Sequence, residues 1–312
     1  MPSTRPPLIS VALSVYNGER FLPAQLDSIL AQQGVDIEVV AVDDGSVDGS
    51  AALLASYAQR DPRVRLSPNP QNLGMNRSFE RAMALCRGEF IAPSDQDDVW
   101  LPDKLRTLLG AIGAADLAYC DSAYIDEAGQ PSGLRVSDDL QMLSGREPLR
   151  FALDNSVSGH AMLLRRDLFK RARPLPPSLY YDWTLAMFAA ARGGVMYVDR
   201  PLVQFRRHGN AFSSLGKHGQ ARKTDRYRRW IGDRAALLET LAGTAFDTQG
   251  RARRLADALA LASAGKTRWP LLRTIWNERV ALAQQGAPWR NATRLQMRLL
   301  RKLYRAGREA AA

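Results

Sequence analysis

The sequence predicts an α/β domain built on a mostly parallel sheet, followed by a basic, mainly helical C-terminal region. Three observations carry this reading. Apolar runs too continuous for a one-sided sheet alternate with helical-period segments over roughly the first hundred residues. Those runs end in polar clusters, Tyr16-Asn17-Gly18, Asp43-Asp44-Gly45-Ser46 and Asp95-Gln96-Asp97-Asp98, as strand ends do in such sheets. Finally, the net charge of +11 comes wholly from residues 216–312, while residues 1–215 are slightly acidic.

Taken in order, Leu8 to Val15 is apolar except for Ser10 and Ser14, and reads as a central strand covered on both faces. Leu22, Leu26, Ile29 and Leu30 fall at helical spacing, with Pro23 tolerated in the first turn. Ile37 to Val42 is a second buried strand, followed by a helix from about Ser50 to Gln59 and a short strand at Val64-Arg65-Leu66. Asn72-Leu73-Gly74 is a turn, and a helix from about Ser78 to Cys86 stops at Gly88. Glu89 to Pro93 is the strand that delivers the acidic stretch. Further on, Leu117 to Ile125 reads as a strand, Pro131 to Pro148 as a polar loop, either mobile or facing an acceptor, and Ser158 to Arg165 as a turn entering a strand. Asp182-Trp183 opens a helix that ends at Gly193-Gly194, and Val195 to Val198 and Leu202 to Phe205 are two short strands. Helical patterns recur at Trp230 to Leu241, Arg253 to Ala262 and Leu271 to Leu282. This divides the chain into a short leader (1–7), a catalytic domain (8–216) and a basic helical region (217–312).

Composition narrows the function classes. The two cysteines, Cys86 and Cys120, have no ligand-like spacing and suit buried thiols in a reducing cytoplasm. No apolar run approaches the ~18 residues of a membrane span. The expected location is therefore cytoplasmic, or peripheral at the inner face of the cell membrane. The dinucleotide fingerprint is missing after the first strand, and Ala264-Gly265-Lys266-Thr267 lacks both the first glycine and the preceding strand of a phosphate-binding loop. There is no nucleophile elbow, and three histidines leave little room for a histidine-rich zinc site. No recognised nucleic-acid motif accompanies the basic block, so nucleic acid is not an expected partner, although a nucleic-acid-binding protein using that block is an alternative. A nucleotidyltransferase is another, but Tyr16-Asn17-Gly18-Glu19 is a poor phosphate loop.

The chemistry centres on Ser94-Asp95-Gln96-Asp97-Asp98. Like charges this close repel, and burial of unpaired carboxylates is costly. A hard divalent cation with oxygen ligands, Mg²⁺ or Mn²⁺, relieves the repulsion and can then hold a diphosphate. The alternative is a solvated turn or helix cap. What favours a site is convergence: three polar strand ends face one edge of the predicted sheet.

These blocks resemble the bacterial family 2 glycosyltransferases of the GT-A fold. The likeness runs through Leu13-Ser14-Val15-Tyr16-Asn17-Gly18, Val42-Asp43-Asp44-Gly45-Ser46, Asn72-Leu73-Gly74 and Ser94-Asp95-Gln96-Asp97-Asp98-Val99-Trp100. It continues through Asp182-Trp183 and Arg207-His208-Gly209-Asn210, and the later blocks look most like the rhamnosyltransferase-like branch. The resemblance implies a metal-dependent, inverting transfer of a sugar, such as a deoxysugar, to a cell-surface glycan or lipid-linked acceptor. The donor would be a dTDP- or UDP-linked sugar. Ser14 and Tyr16 would line the base pocket, Asp44 would accept the base's ring N–H, Arg77 would reach a phosphate, and Asp95 would contact the ribose. Asp97 would bind the metal, with His208 as a further metal or diphosphate contact, and Asp98 would bind through water or hold the loop. Asp182 would be the general base. A turn-and-cap role is the alternative for Asp43-Asp44, a helix cap for Asp182, and an exposed helix arginine for Arg77. The resemblance implies an acidic residue, present in many members, where this chain has Tyr181. Trp183 packs in the core or near the acceptor, residues from Gly209 to Gly219 would form a lid, and His160 and His218 carry no assignment.

In the last segment Arg294, Arg298, Arg301 and Arg305 form a stripe beside Leu295, Leu299 and Leu303. Such a helix either contacts an anionic membrane or packs its leucines on the catalytic domain.

Overall fold

The computed structural model describes residues 6–153, 155–208, 223–244, 247, 249–263 and 269–278. Strand β1 (Leu8–Val15) lies between β2 (Asp36–Asp43) and β4 (Phe90–Ser94), parallel to both, and β3 (Val64–Leu66) extends the sheet beyond β2. The other half is mixed. β8 (Met162–Arg165) runs antiparallel to β4 and to β6 (Leu117–Ile125), and β9 (Val195–Arg206) runs parallel to β6. β5 (Val99–Trp100) and β7 (Pro131–Arg135) are antiparallel additions to β9 and β6. Among the described residues β1–β4, β6 and β9 all run one way, so the sheet is mostly parallel and their six carboxyl ends share one edge with the start of β8.

Alternation along β1 explains its uninterrupted apolarity. Ile9, Val11, Leu13 and Val15 face a layer formed by α1 (Leu22–Leu30), α2 (Ser50–Arg60) and α4 (Lys104–Ile112). Ala12 faces the other layer, with α3 (Met75–Leu85), α6 (Pro148–Leu153), α7 (Arg166–Ala172) and α8 (Tyr181–Arg192). Ser10 is tolerated inside because its hydroxyl donates to Glu38 at 2.6 Å.

Three segments depart from sequence expectation. α3 begins at Met75, a turn earlier than expected, because a remote carboxylate caps it: Asp44 accepts from the backbone N–H of Leu73 (2.8 Å) and Gly74 (2.9 Å). The first half of the expected loop, residues 131–139, is instead β7 and α5 (Val136–Asp139), tied down where buried Asp121 accepts from the Ser137 N–H (3.2 Å) and hydroxyl (2.6 Å), while residues 140–147 form the irregular connection to α6. The two short strands expected near Val195 are one strand, whose register against β6 slips at Asp121 to pass Pro201.

The basic region contributes α9 (Lys223–Ala242), α10 (Arg251–Ser263) and α11 (Trp269–Asn277). Ile231, Leu237, Leu241, Leu255, Leu259 and Leu271 join the same core as α6 and α8. Arg251 reaches Glu147 (3.1 Å) and Glu278 (2.7 Å), and the Arg234 guanidinium lies 4.8 Å from the Trp183 ring centre. These helices bury their apolar stripes against the α/β body. No described helix is long and apolar enough to cross a membrane. The Arg294–Arg305 stripe and the Gly209–Gly219 segment lie outside the described residues.

Candidate active site

The β1–α1 and β2–α2 loops are joined side chain to backbone. Asn17, in the left-handed region at φ 50°, accepts from the Val47 N–H (2.9 Å), and its own N–H donates to Ser46 Oγ (3.0 Å). The Gly18 N–H donates to Ser50 Oγ (2.8 Å), and the Gly49 N–H to Glu19 (2.9 Å). Beside this rigid rim Ser14 is half-buried and the Tyr16 ring is 47% exposed, an open aromatic face at the sheet edge. Gln96 holds Tyr16 from the acidic loop, accepting its N–H (2.7 Å) and donating to its carbonyl (3.1 Å). Asp44 is buried beneath this rim. Besides Leu73 and Gly74 it accepts from Asn69 Nδ2 at 2.7 Å, so three donors occupy a carboxylate with about four acceptor directions. Neighbouring Asp43 has a buried carboxylate oxygen without a partner among the described residues. Arg77 lies on the exposed side of α3, paired with Glu80 at 3.0 Å.

The acidic loop takes its partners from the mixed half of the sheet. Asp97 Oδ2 meets His208 Nε2 at 2.8 Å. Asp98 is fully buried: its Oδ1 accepts the Arg206 N–H at 3.0 Å, and its Oδ2 has no hydrogen-bond partner among the described residues. Arg206 also donates from Nε to the Asp97 carbonyl (2.9 Å), so one residue grips the loop by main chain and side chain. The 3₁₀ turn Gly159–Ala161, just before β8, aims His160 at the same acids. Its Nδ1 lies 3.6 Å from Asp95 and 3.7 Å from Asp98, and its Nε2 meets Ser122 Oγ at 3.0 Å. The ring stacks on Phe205 at 4.5 Å. Beneath it, fully buried Lys104 donates to the His160 carbonyl at 2.5 Å and sits 3.1 Å from the Trp100 ring centre. His160, Lys104 and Arg206 are site residues that sequence reasoning misses. The only signal for His160 is its place in a Gly-containing turn at a strand start.

Burial and like charge dominate the electrostatics. Burial, with Asp95 adding to it, raises the Asp97 carboxyl. Burial pushes the Asp98 carboxyl up to about 7, opposed by the charge of His160. Burial also opposes the His160 imidazolium, but the Asp98 and Asp95 charges outweigh it and raise that group. The Lys104 ammonium is pushed down to about 7 by burial.

On the other side of the turn stands Asp182, in the first turn of α8, where the helix dipole favours a negative charge. It accepts the Gly159 N–H (3.2 Å) and its neighbour Trp183's N–H (2.6 Å). The residue is half-buried, and burial pushes its carboxyl up to about 6 against those two bonds, with Asp95 adding to the rise. Gly159 thus links the two groups: its N–H meets Asp182, and the next residue is His160. A side chain here would strike the Tyr181 hydroxyl. Trp183 belongs to the core, with its indole N–H donating to the Phe151 carbonyl.

The donor set fits a hard divalent cation. Ligand atoms of Asp95, Asp98 and His160 lie within 4.8 Å of one another, and the buried orphan oxygen of Asp98 belongs to that group. The Asp97–His208 pair offers a second carboxylate–imidazole set. The carboxylates suit Mg²⁺ or Mn²⁺.

The family model for glycosyl transferase family 2 matches residues 10–173, a stretch that holds the acidic loop and His160 and stops short of Asp182 and His208. An uncharacterized glycosyltransferase of Nostoc sp. is 30% identical over 64% of this chain and 65% of its own length. The relative EpsH of Bacillus subtilis is 28% identical over 65% of this chain and 61% of its own length. The chain therefore spans slightly less than two thirds of either relative. The succinoglycan biosynthesis protein ExoO of Rhizobium meliloti is 38% identical over 35% of this chain and 31% of its own. Among solved structures, the 1–349 fragment of TarS of S. aureus with UDP-GlcNAc superposes with a TM-score of 0.60 at 16% identity, covering 88% of this chain and 81% of that fragment. The mannosyltransferase PcManGT of Pyrobaculum calidifontis with GDP-Man and Mn²⁺ gives 0.59 at 18%, covering 99% and 85%. The fold is therefore GT-A-like.

Proposed function

Because the chain belongs to glycosyl transferase family 2, we propose that it moves a sugar from a nucleoside-diphosphate donor to an acceptor hydroxyl with inversion at the anomeric carbon. One observation carries the reading: a half-buried carboxyl raised to about 6, Asp182, sits across a single 3₁₀ turn from the acidic loop. A base near that value is largely ionised at neutral pH and still takes a proton readily.

In this reading Tyr16 stacks on the base, Ser14 lines the pocket, and Asp44 offers its last acceptor direction to a ring N–H. Asp95 meets the ribose. Arg77 exchanges Glu80 for a phosphate. Asp97 and His208 would hold the cation beside the Asp95–Asp98–His160 cluster, while Asp98, gripped by Arg206, fixes the loop. A bound Mg²⁺ or Mn²⁺ would neutralise the charge that develops on the departing nucleoside diphosphate. Asp182 removes the acceptor proton as the hydroxyl oxygen attacks from the face opposite the leaving group, so no covalent intermediate forms.

The rhamnosyltransferase-like blocks favour a dTDP-linked deoxysugar as donor, with a UDP-linked sugar as the second choice; two solved neighbours were crystallised with UDP-GlcNAc and GDP-Man. The acceptor is a glycan or lipid-linked saccharide, in keeping with a relative named for succinoglycan biosynthesis. Such an acceptor would suit an enzyme that is cytoplasmic and peripheral at the inner face of the membrane, where the basic C-terminal residues would meet anionic lipid. Thermal-shift screening of nucleotide sugars with Mn²⁺ should identify the donor, since selective binding raises the melting point. Asp182→Asn should then bind that donor and fail to transfer; transfer by this variant would overturn the assignment of the base. Equal liposome flotation with and without residues 285–312 would remove the membrane contact.

A further inference from the structure

α3 touches both halves of this site. At its N-terminus Asp44, beneath the rim of the proposed base pocket, accepts from Leu73 and Gly74, while Asn69 bridges Asp44 and Ser78 Oγ at 2.7 and 2.8 Å. On its first turn Asn76 uses its whole amide on the segment that leads into α8. Its Nδ2 donates to the carbonyls of Pro177 (3.1 Å) and Leu179 (2.8 Å), and its Oδ1 accepts the Tyr181 N–H (3.3 Å). One turn further, Glu80 accepts the Leu175 N–H at 3.2 Å, and Phe79 stacks on the Tyr181 ring at 4.3 Å. The segment 175–181 is thus strung along α3, and Asp182 is the next residue.

We infer that Asn76 is a positioning residue for Asp182, and that α3 sets the base relative to the nucleotide pocket. The inference rests on Asp182 being the base. Pro177 and Leu179 lie in an irregular connection whose carbonyls need donors, and Asn76 supplies both from one planar group. Without it, the N-terminal turn of α8 loses its fixed approach. A displacement of about 1 Å at a catalytic group costs on the order of a hundredfold in rate. Asn76 donates nothing to the acidic loop, so donor binding should not need it.

The test uses the full chain, Asn76→Ala, Asp182→Asn and the double variant. UDP with Mn²⁺ is the calorimetric probe. Turnover is nucleoside-diphosphate release from whichever of UDP-GlcNAc, GDP-mannose and dTDP-rhamnose gives the largest thermal shift. Asn76→Ala should slow turnover about 10- to 100-fold and leave UDP–Mn²⁺ affinity within about twofold, and the double variant should be no slower than Asp182→Asn. A wild-type rate in Asn76→Ala with a slow Asp182→Asn overturns the positioning role alone, as does a double variant whose losses multiply. A wild-type rate in Asp182→Asn overturns the reading of the base instead. Should Asn76→Ala fail to fold, Asn76→Asp takes its place: it keeps an acceptor for Tyr181 but faces two carbonyls with a carboxylate, and unchanged turnover in it overturns the inference.

Discussion

Replacing Asp182 by Asn should remove activity and stabilise the fold at neutral and alkaline pH. The Asp182 carboxyl is pushed up to about 6 from an ordinary 3.8, by burial first. Each tenfold change in proton affinity is worth about 1.4 kcal/mol, so the ionised carboxylate costs the native state up to about 3 kcal/mol at pH 8. Two effects reduce that. The side chain is only half-buried, which screens part of the cost. An amide can also accept only one of the two N–H groups, from Gly159 and Trp183, that the carboxylate now takes, a loss of about 1 kcal/mol. The net gain is about 1–2 kcal/mol, or roughly 2–6 °C in melting temperature for a chain of this size. The sign follows from a raised folded value. The proton's contribution to stability is complete below about pH 4 and is lost as pH rises through about 6. The gain from Asn should therefore be full near pH 8 and vanish near pH 4. Scanning fluorimetry of both proteins in EDTA at the two pH values reads this directly. A melting point that falls at pH 8, or rises equally at both, would refute the argument that burial burdens this carboxylate.

Asp97→Ala should keep its melting point within a few degrees but weaken Mn²⁺-dependent UDP binding at least about tenfold by calorimetry, because one of two ligands in its pair is gone; unchanged binding would move the cation elsewhere. Gly159→Ala drives a Cβ into the buried Tyr181 side chain and should destabilise the fold by about 1–3 kcal/mol, seen as an earlier denaturant midpoint. Asp44→Asn turns an amide donor toward at least one of three N–H donors. Amides at the start of α3 should then exchange faster by mass spectrometry while nucleotide affinity falls, and unaltered exchange would detach the cap from Asp44.

The parallel half of the fold is legible because its information is local. Leu8 to Val15 and Ile37 to Val42 are apolar on both faces and end in turn residues, and the structure returns both within a residue of the expected bounds. Where partners are remote, local pattern fails. The early start of α3 depends on Asp44, about thirty positions upstream, and α5 depends on Asp121. Lys104, which opens α4, looks solvated in sequence and is fully buried against Trp100.

The site divides the same way. Ser14, Tyr16, Asp44 and the acidic loop lie at the ends of adjacent parallel strands, so recognising the strands brings them to one edge. His160, Arg206 and His208, of which only His208 is marked by the family resemblance, reach that edge through β8 and β9, whose pairings span many residues. They change what the acidic loop is. Repulsion among Asp95, Asp97 and Asp98 points from sequence to a missing cation, yet the chain supplies part of the compensation itself. His208 meets Asp97, the Arg206 N–H meets Asp98, and His160 faces both Asp95 and Asp98. The loop can therefore fold before a cation arrives. An incoming cation at Asp97 competes with a bond already made at 2.8 Å rather than with bulk water alone, and the readiness of the parallel half to bind a diphosphate is set by side chains from the mixed half.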